Sequence, residues 1–302
     1  MMSASRARDA LLAALIDDGR ASVEALGRAT GLSASRVRQV LGELDENHVS
    51  VRGIIHPSVF GQRALAHLQV MPAGSATAVL HQLAANPAIP YVTRVSGEFG
   101  VSAEVRVRDR TQLSTIIDGV RDLASVARVD VDEYLDVVKD AMVRLRPVED
   151  AQLDAVDRIL LARLQANGRE SYASLARHVS LTTASARARV LRLLEAGVVR
   201  IGVRQRSRHD SLQVGFRVVS TRRDEVTEAL LPRPAVEYLA ASVGRSSFVG
   251  TLRVPTLEAA AAELDAIESI DGVTQTHSWM HLAVVKEQYD TQVIPEGNEI
   301  GR

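Results

Sequence analysis

The stretch Leu153–Val199, LDAVDRILLARLQANGRESYASLARHVSLTTASARARVLRLLEAGVV, divides at its breakers into three short helices. Leu153 to Ala166 carries Val156, Ile159, Leu160 and Leu164 at the spacing of one buried helical stripe. Asn167-Gly168 ends it, because both residues tolerate the left-handed conformation of a helix exit. Ser171 is placed to cap a second helix running to Val179, with Leu175, Ala176 and Val179 on its inner face. Thr182 or Thr183 caps a third, Thr183 to Ala196, whose inner face is Ala186, Val190, Leu193 and Leu194. Its outer face carries Arg187, Arg189 and Arg192, with Ser185 near its start. Two short helices joined by a tight turn, with arginines on the second, make a helix-turn-helix.

Three fragments of this stretch carry a family resemblance. They are Leu153-Asp154-Ala155-Val156-Asp157-Arg158-Ile159-Leu160, Asn167-Gly168-Arg169, and Leu193-Leu194-Glu195-Ala196-Gly197-Val198-Val199. In order and spacing they resemble the DNA-binding domain of the Lrp/AsnC regulators, also called feast/famine regulatory proteins.

At 302 residues the chain is long enough for two to four small domains with cores of their own. A formal net charge of -1 gives no global attraction to a polyanion, so any basic patch must be local. The absence of cysteine excludes disulfides, cysteine-ligated metal sites and thiol catalysis. Met1 to Arg8 lacks the apolar core of a signal peptide and no apolar run reaches membrane length, so a cytoplasmic location is expected. Nearly all basic residues are arginine; the only lysines are Lys139 and Lys286.

The chain also repeats itself. Gly19-Arg20-Ala21-Ser22 matches Gly168-Arg169-Glu170-Ser171 at an offset of 149 (168 − 19). At that offset Leu26 meets Leu175, Leu32 meets Leu181, Leu44 meets Leu193 and Glu46 meets Glu195. Further on the offset is 147 (234 − 87): Pro87 meets Pro234, Tyr91 meets Tyr238, Gly97 meets Gly244 and Lys139 meets Lys286. A register kept across so many turn and core positions reads as a duplication.

Each copy has a helical part and a mixed part. In the first copy the helices carry Leu11, Leu12, Leu15 and Ile16, then Val23 and Leu26, then Val37, Val40, Leu41 and Leu44, with Ser33 at a capping position. The mixed part runs strand (Ala64 to Val70), helix (Ala76 to Ala85), strands (Tyr91 to Val95 and Val101 to Val107), helix (Thr111 to Leu123) and strand (Val126 to Val138). That order is the ferredoxin-like βαββαβ arrangement, repeated from Leu212 to Val285. It resembles the ligand-sensing and oligomerising domain of the same family, and His48 to Gly61 is similar to the family's connecting strand.

The expected fold class is therefore α+β, with two copies of a winged-type helix-turn-helix domain followed by a ferredoxin-like βαββαβ sensing domain. The expected boundaries are 1–50 and 153–203 for the DNA-binding domains, with 51–63 a strand and linker. The sensing domains are expected over 64–145 and 204–287, the joint over 146–152, and a mobile tail over 288–302.

For DNA, the chemistry required is phosphate neutralisation and bidentate guanine contact, both suited to arginine. From Leu153 to His209 eleven arginines face only Asp154, Asp157, Glu170 and Glu195, whereas the first module balances seven arginines against seven acids. An arginine-rich helix face is by default solvated surface; the tri-helical spacing and the resemblance are what point it at DNA. The candidate contacts are Thr182, Thr183, Ser185, Arg187, Arg189 and Arg192 in the second module, and Ser33, Ser35, Arg36, Arg38 and Gln39 in the first. Arg187 and Arg38, at corresponding positions, are the preferred pair, and the second module is expected to supply most of the affinity.

The family resemblance implies a small effector, an amino acid or related metabolite, near the turn between the second and third strands of each sensing domain. The candidate residues are Ser96, Gly97, Glu98 and Phe99 in one copy and Gly244, Arg245, Ser246 and Ser247 in the other. The aspartate the family has three residues after the glycine is replaced by Gly100 and Ser247. The bland alternative is that Gly97 and Gly244 merely supply a positive φ. His277 and His281 share a strand face, but two histidines without further ligands are not a metal site, and none is expected. Lys139 and Lys286 are expected to be solvated.

No phosphate-binding loop, nucleophile elbow or zinc-protease helix occurs, so no enzyme and no cofactor are expected. The expected function is a DNA-binding transcriptional regulator that forms a homo-oligomer through its sensing domains and binds no membrane. Two alternatives stand beside it: a sirohaem-decarboxylase-like enzyme on the same architecture, and a sensor or scaffold that no longer binds DNA.

Overall fold

The computed structural model describes residues 4–46, 49–140, 143–145, 152–205 and 211–288. Most of the expected joint, the tail beyond Gln288, and Arg206 and Arg208 of the expected basic set lie outside the described residues. The elements in chain order are α1 (Ala4–Asp17), α2 (Val23–Thr30), α3 (Ala34–Glu46), β1 (Val49–Ile55), a 3-10 turn (Pro57–Phe60), β2 (Ala64–Pro72), α4 (Ala76–Ala84), β3 (Tyr91–Val95), β4 (Val101–Val107), α5 (Arg110–Arg121), β5 (Val126–Asp140) and β6 (Val143–Arg144). The same order then recurs as α6 (Ala155–Ala166), α7 (Tyr172–His178), α8 (Thr183–Glu195), β7 (Val199–Gln205), β8 (Leu212–Ser220), α9 (Arg223–Leu230), β9 (Val236–Gly244), β10 (Phe248–Val254), α10 (Leu257–Glu268) and β11 (Val273–Glu287). These pack into two compact units: the described residues up to His56 with those from 143 to 205, and Pro57–Asp140 with 211–288.

In the helical unit, each module buries the stripe that its spacing predicts. Leu11 and Leu15 of α1, Leu26 of α2, and Val37, Val40 and Leu44 of α3 form one core. Leu160 and Leu164, Leu175, and Ala186, Val190 and Leu193 form its counterpart. Helix α6 starts later than the periodicity suggests because Asp154 caps it, accepting from Asp157 N at 2.8 Å.

The two modules are interlocked. Strands β1 and β7 pair antiparallel, Arg52 opposite Gly202. Val203 of β7 lies in the core of the first module. Reciprocally, β1 lies so close on α6 that a Cβ at Gly53 would meet the Leu164 backbone at 3.0 Å. The repeated Gly-Arg motif makes a second exchange. Arg20 donates to the carbonyls of Gly168 (2.5 Å) and Glu170 (2.9 Å), while Arg169 donates to those of Gly19 (2.7 Å) and Ala21 (2.8 Å). Burial, and then the charge of Arg20, hold the Arg169 guanidinium below its ordinary pKa.

In the second unit, eight strands close on themselves in the order β2-β4-β3-β11-β8-β10-β9-β5, with β5 returning to β2. Each βαββαβ half is a four-stranded sheet whose edges are completed by the other half, at β3–β11 and β9–β5. Helices α4 and α5 cover one half over Leu68, Val79, Leu83 and Ile117; α9 and α10 cover the other over Phe216, Val226, Phe248 and Ile267. The alternation in β4 explains why closure is required. Val101, Ala103, Val105 and Val107 face the helices, so Ser102, Glu104 and Arg106 face inward, and all seven residues are buried.

The inward side chains meet across the ring. His67 of β2 stacks on Trp279 of β11 with ring centroids 5.4 Å apart, and its Nε2 lies 2.8 Å from Ser102 Oγ. Glu104 accepts from the hydroxyl of Tyr238 at 3.0 Å and pairs with Arg106. Asp132 of β5 lies 3.5 Å from Arg217 of β8. Gly215 stands opposite Trp279 because the indole occupies the space of any side chain there. Burial drives the pKa of His67 down to about 3 and that of His281 down to about 4, with Arg217 and Arg253 respectively adding to the effect. Both rings are therefore neutral at physiological pH.

The lysines differ from expectation. Lys139 is 3% exposed, and its Nζ donates to the carbonyls of Leu231 and Arg233, both at 2.8 Å, beyond the end of α9. Lys286 donates to Asn86 O at 2.8 Å, beyond the end of α4. Each lysine satisfies helix-terminal carbonyls of the opposite half, which is why neither is simply solvated. Burial lowers the pKa of Lys139 to about 8.

Candidate nucleic-acid interface and sensing turns

Each helical module turns on a left-handed residue. Gly31 (φ +72°) follows α2, and Ser180 (φ +53°) occupies the matching place between α7 and α8. The helices that follow, α3 and α8, are capped by hydroxyls. Ser33 Oγ accepts from Arg36 N at 3.3 Å, and Thr182 Oγ1 accepts from Ser185 N at 3.1 Å. Ser35 and Ser185 hydroxyls lie 3.1 Å and 2.9 Å from those caps. All four hydroxyls thus organise the first turn of a helix, and Thr183 is exposed beside them.

The candidate arginines divide into two sets. Arg189 Nη1 donates to Asp154 Oδ2 at 2.6 Å and Asp157 Oδ1 at 3.1 Å, and Arg192 Nη2 donates to Asp157 Oδ2 at 2.5 Å. Asp157 is 1% exposed and completes a capping box with Asp154, so these two arginines fasten α8 to the start of α6. The backbone N–H of Asp157, and then Arg189, hold the Asp154 carboxyl below its ordinary pKa. Arg163 is likewise held by Glu170 at 3.0 Å and 3.1 Å. In the first module, Arg36 (3.4 Å) and Gln39 (2.9 Å) both reach Glu43. Arg187 and Arg38 remain exposed at corresponding positions of the two helices. The guanidinium of Arg187 lies 6.0 Å from the centroid of Tyr172, the first residue of α7.

The two glycine turns are tied to the ring. In the first, Gly97 (φ +89°) and Gly100 (φ +73°) supply the positive φ, Ser96 exchanges hydrogen bonds with the Met280 backbone, and Glu98 pairs with Arg128 at 3.1 Å. Phe99 is buried beneath the Arg128 guanidinium, 5.0 Å from its ring. In the second, a Cβ at Gly244 (φ +137°) would meet Val131 O at 2.6 Å. Ser246 donates to Asp132 Oδ1 through both N (2.8 Å) and Oγ (2.9 Å), and Arg245 pairs with Asp130 at 3.1 Å. Ser247 bonds to Ser220. Asp130 also takes Arg128, so Glu98, Arg128, Asp130 and Arg245 form one chain of ion pairs between the two turns.

His277 is exposed, while His281 Nδ1 lies 3.1 Å from the Tyr91 hydroxyl. Among the described residues no group of three or more acidic or histidine side chains could hold a metal ion, and no helix is long and apolar enough to cross a membrane.

Comparison with known proteins agrees with this geometry. Residues 153–194 match the model of the AsnC-type helix-turn-helix domain, and residues 63–144 match that of the Lrp/AsnC ligand binding domain. The chain thus carries an AsnC-type helix-turn-helix domain and an Lrp/AsnC ligand binding domain. Among its relatives, an uncharacterized HTH-type transcriptional regulator of Pyrococcus abyssi is 28% identical over 157 residues, which is 49% of this chain and 98% of that one. The HTH-type transcriptional regulator FL11 of Pyrococcus horikoshii is 27% identical over 115 residues, 37% of this chain and 76% of that one. Over the whole length, the crystal structure of the siroheme decarboxylase NirDL aligns with a TM-score of 0.63, covering 93% of each chain at 13% identity, a likeness of fold.

Proposed function

We propose that the chain is a transcriptional regulator in which one polypeptide does the work of two Lrp/AsnC subunits. The observation that carries this reading is the pair of capped helices α3 and α8, each leaving an arginine outward at the same position, Arg38 and Arg187. Nearly the whole of the Pyrococcus abyssi relative maps onto about half of this chain, which supports the tandem reading. Both modules engage duplex DNA, with these arginines on phosphates or guanines. The ring unit holds the small effector, an amino acid or related metabolite, and mediates assembly into homo-oligomers, which would set the spacing of the reading heads along DNA.

The test is anisotropy with duplexes from upstream of its own gene at two salt concentrations. Binding with a steep salt dependence is expected. The enzymatic alternative would need histidines and arginines converging on a tetrapyrrole. His67, Arg217 and Trp279 do converge, each under a tenth exposed, with the imidazole stacked on the indole and the guanidinium 5.9 Å from it. Failure of every duplex, together with a tetrapyrrole absorbance shift on binding, would replace the regulator by the enzyme.

A further inference from the structure

The modules differ at one position beside their outward arginines. Tyr172 begins α7, and its first-module counterpart at the offset of 149 is Val23. Arg20, whose guanidinium is fixed by the carbonyls of Gly168 and Glu170, lies 4.6 Å from the centroid of the Tyr172 ring. Arg187 lies 6.0 Å from the same ring. A guanidinium held against an aromatic face loses rotamer freedom but keeps its in-plane N–H donors available. Those donors are what bidentate contact with a phosphate or a guanine edge requires. Among the described contacts, no aromatic ring stands beside Arg38.

We propose that Tyr172 is the positioning residue for Arg187 in DNA recognition, and that Arg20, reaching over from the first module, fixes Tyr172 in turn. The inference rests on the DNA-binding reading above. It makes the first module a structural part of the second module's reading head. Arg187 approaches DNA already oriented, whereas Arg38 must be ordered on binding.

The test uses the full chain in a double-mutant cycle, with duplex affinity by anisotropy and folding by thermal denaturation. Tyr172→Leu should weaken binding about threefold with an unchanged melting temperature, and Tyr172→Phe, which keeps the ring face, should retain wild-type affinity. In an Arg187→Ala background, Tyr172→Leu should have no further effect, because the residue it positions is gone. Arg20→Ala should reproduce the Tyr172→Leu loss. Equal losses in the Leu and Phe variants, or additive losses in the cycle, would overturn the proposal while leaving DNA binding intact. Wild-type affinity in Arg187→Ala would overturn both the positioning role and the assignment of Arg187 to DNA.

Discussion

The two helical modules bury the same stripe of residues yet treat their polar surfaces differently. Where the first carries Val40, 1% exposed in its core, the second carries Arg189, and where the first carries Arg8, the second carries Asp157. A position that belongs to the apolar core of one module is thus part of an ion-paired bridge between α8 and the start of α6 in the other. The difference teaches that arginine number is not arginine availability. Of the basic residues that make the second module look electrostatically dominant, Arg163, Arg169, Arg189 and Arg192 are occupied within the protein. Each of these ion pairs consumes an acid along with an arginine, so pairing leaves the difference in net charge between the modules in place and decides instead which arginines face outward.

The sharpest way to break this comparison is at the bridge. Asp157→Ala should lower stability by about 2–3 kcal/mol in chemical denaturation, because it removes a cap and two arginine partners at a buried site. Arg8→Ala, at the matching position, should stay within about 0.5 kcal/mol. Next come the exchanged arginines. Arg20→Ala and Arg169→Ala should each lose about 1–2 kcal/mol, with equal losses, since each frees two carbonyls of the opposite module. Unequal losses would show that the interlock is not reciprocal in energy.

Affinity gives the third contrast. Arg187→Ala should weaken duplex binding roughly tenfold and Arg38→Ala less, whereas Arg189→Ala should act on stability more than on affinity. Equal losses for Arg187 and Arg38 would remove the asymmetry. The smallest effect lies in the turns. Ser180→Gly should stabilise by about 0.5–1 kcal/mol by relieving a left-handed serine, and Gly31→Ser should destabilise by a similar amount in thermal unfolding.

Much of this architecture was legible because it rests on local rules. Periodicity and breakers place α6, α7 and α8 within a residue or two, and the βαββαβ order of each half follows from alternation and turn residues. What stayed hidden depends on contacts between the halves. Arg20 and Arg169 sit in matching Gly-Arg motifs, yet nothing local says that each bonds the other's loop. Lys139 and Lys286 are equivalent and are the only lysines, a signal that a shared structural task existed, but burial by the opposite half cannot be read from their neighbours in sequence. The two glycine turns lie where the sequence places them. Their polar groups, however, are engaged by Asp130, Asp132 and Arg128 of a distant strand.

An open ferredoxin-like sheet ends in a bare row of N–H and C=O groups, a template onto which a foreign strand can grow. Among the described residues each of the eight ring strands pairs on both sides, so the ring itself offers a foreign strand no bare edge. What the ring does present outward is apolar side chains: Leu135 and Leu282 stand exposed at the equivalent bulges of β5 and β11. With both seams in one chain, the two need not be alike. A homodimer carries every substitution twice, whereas here one seam has Asp132 against Ser246 and the other has Trp279 and Phe99 at the same places.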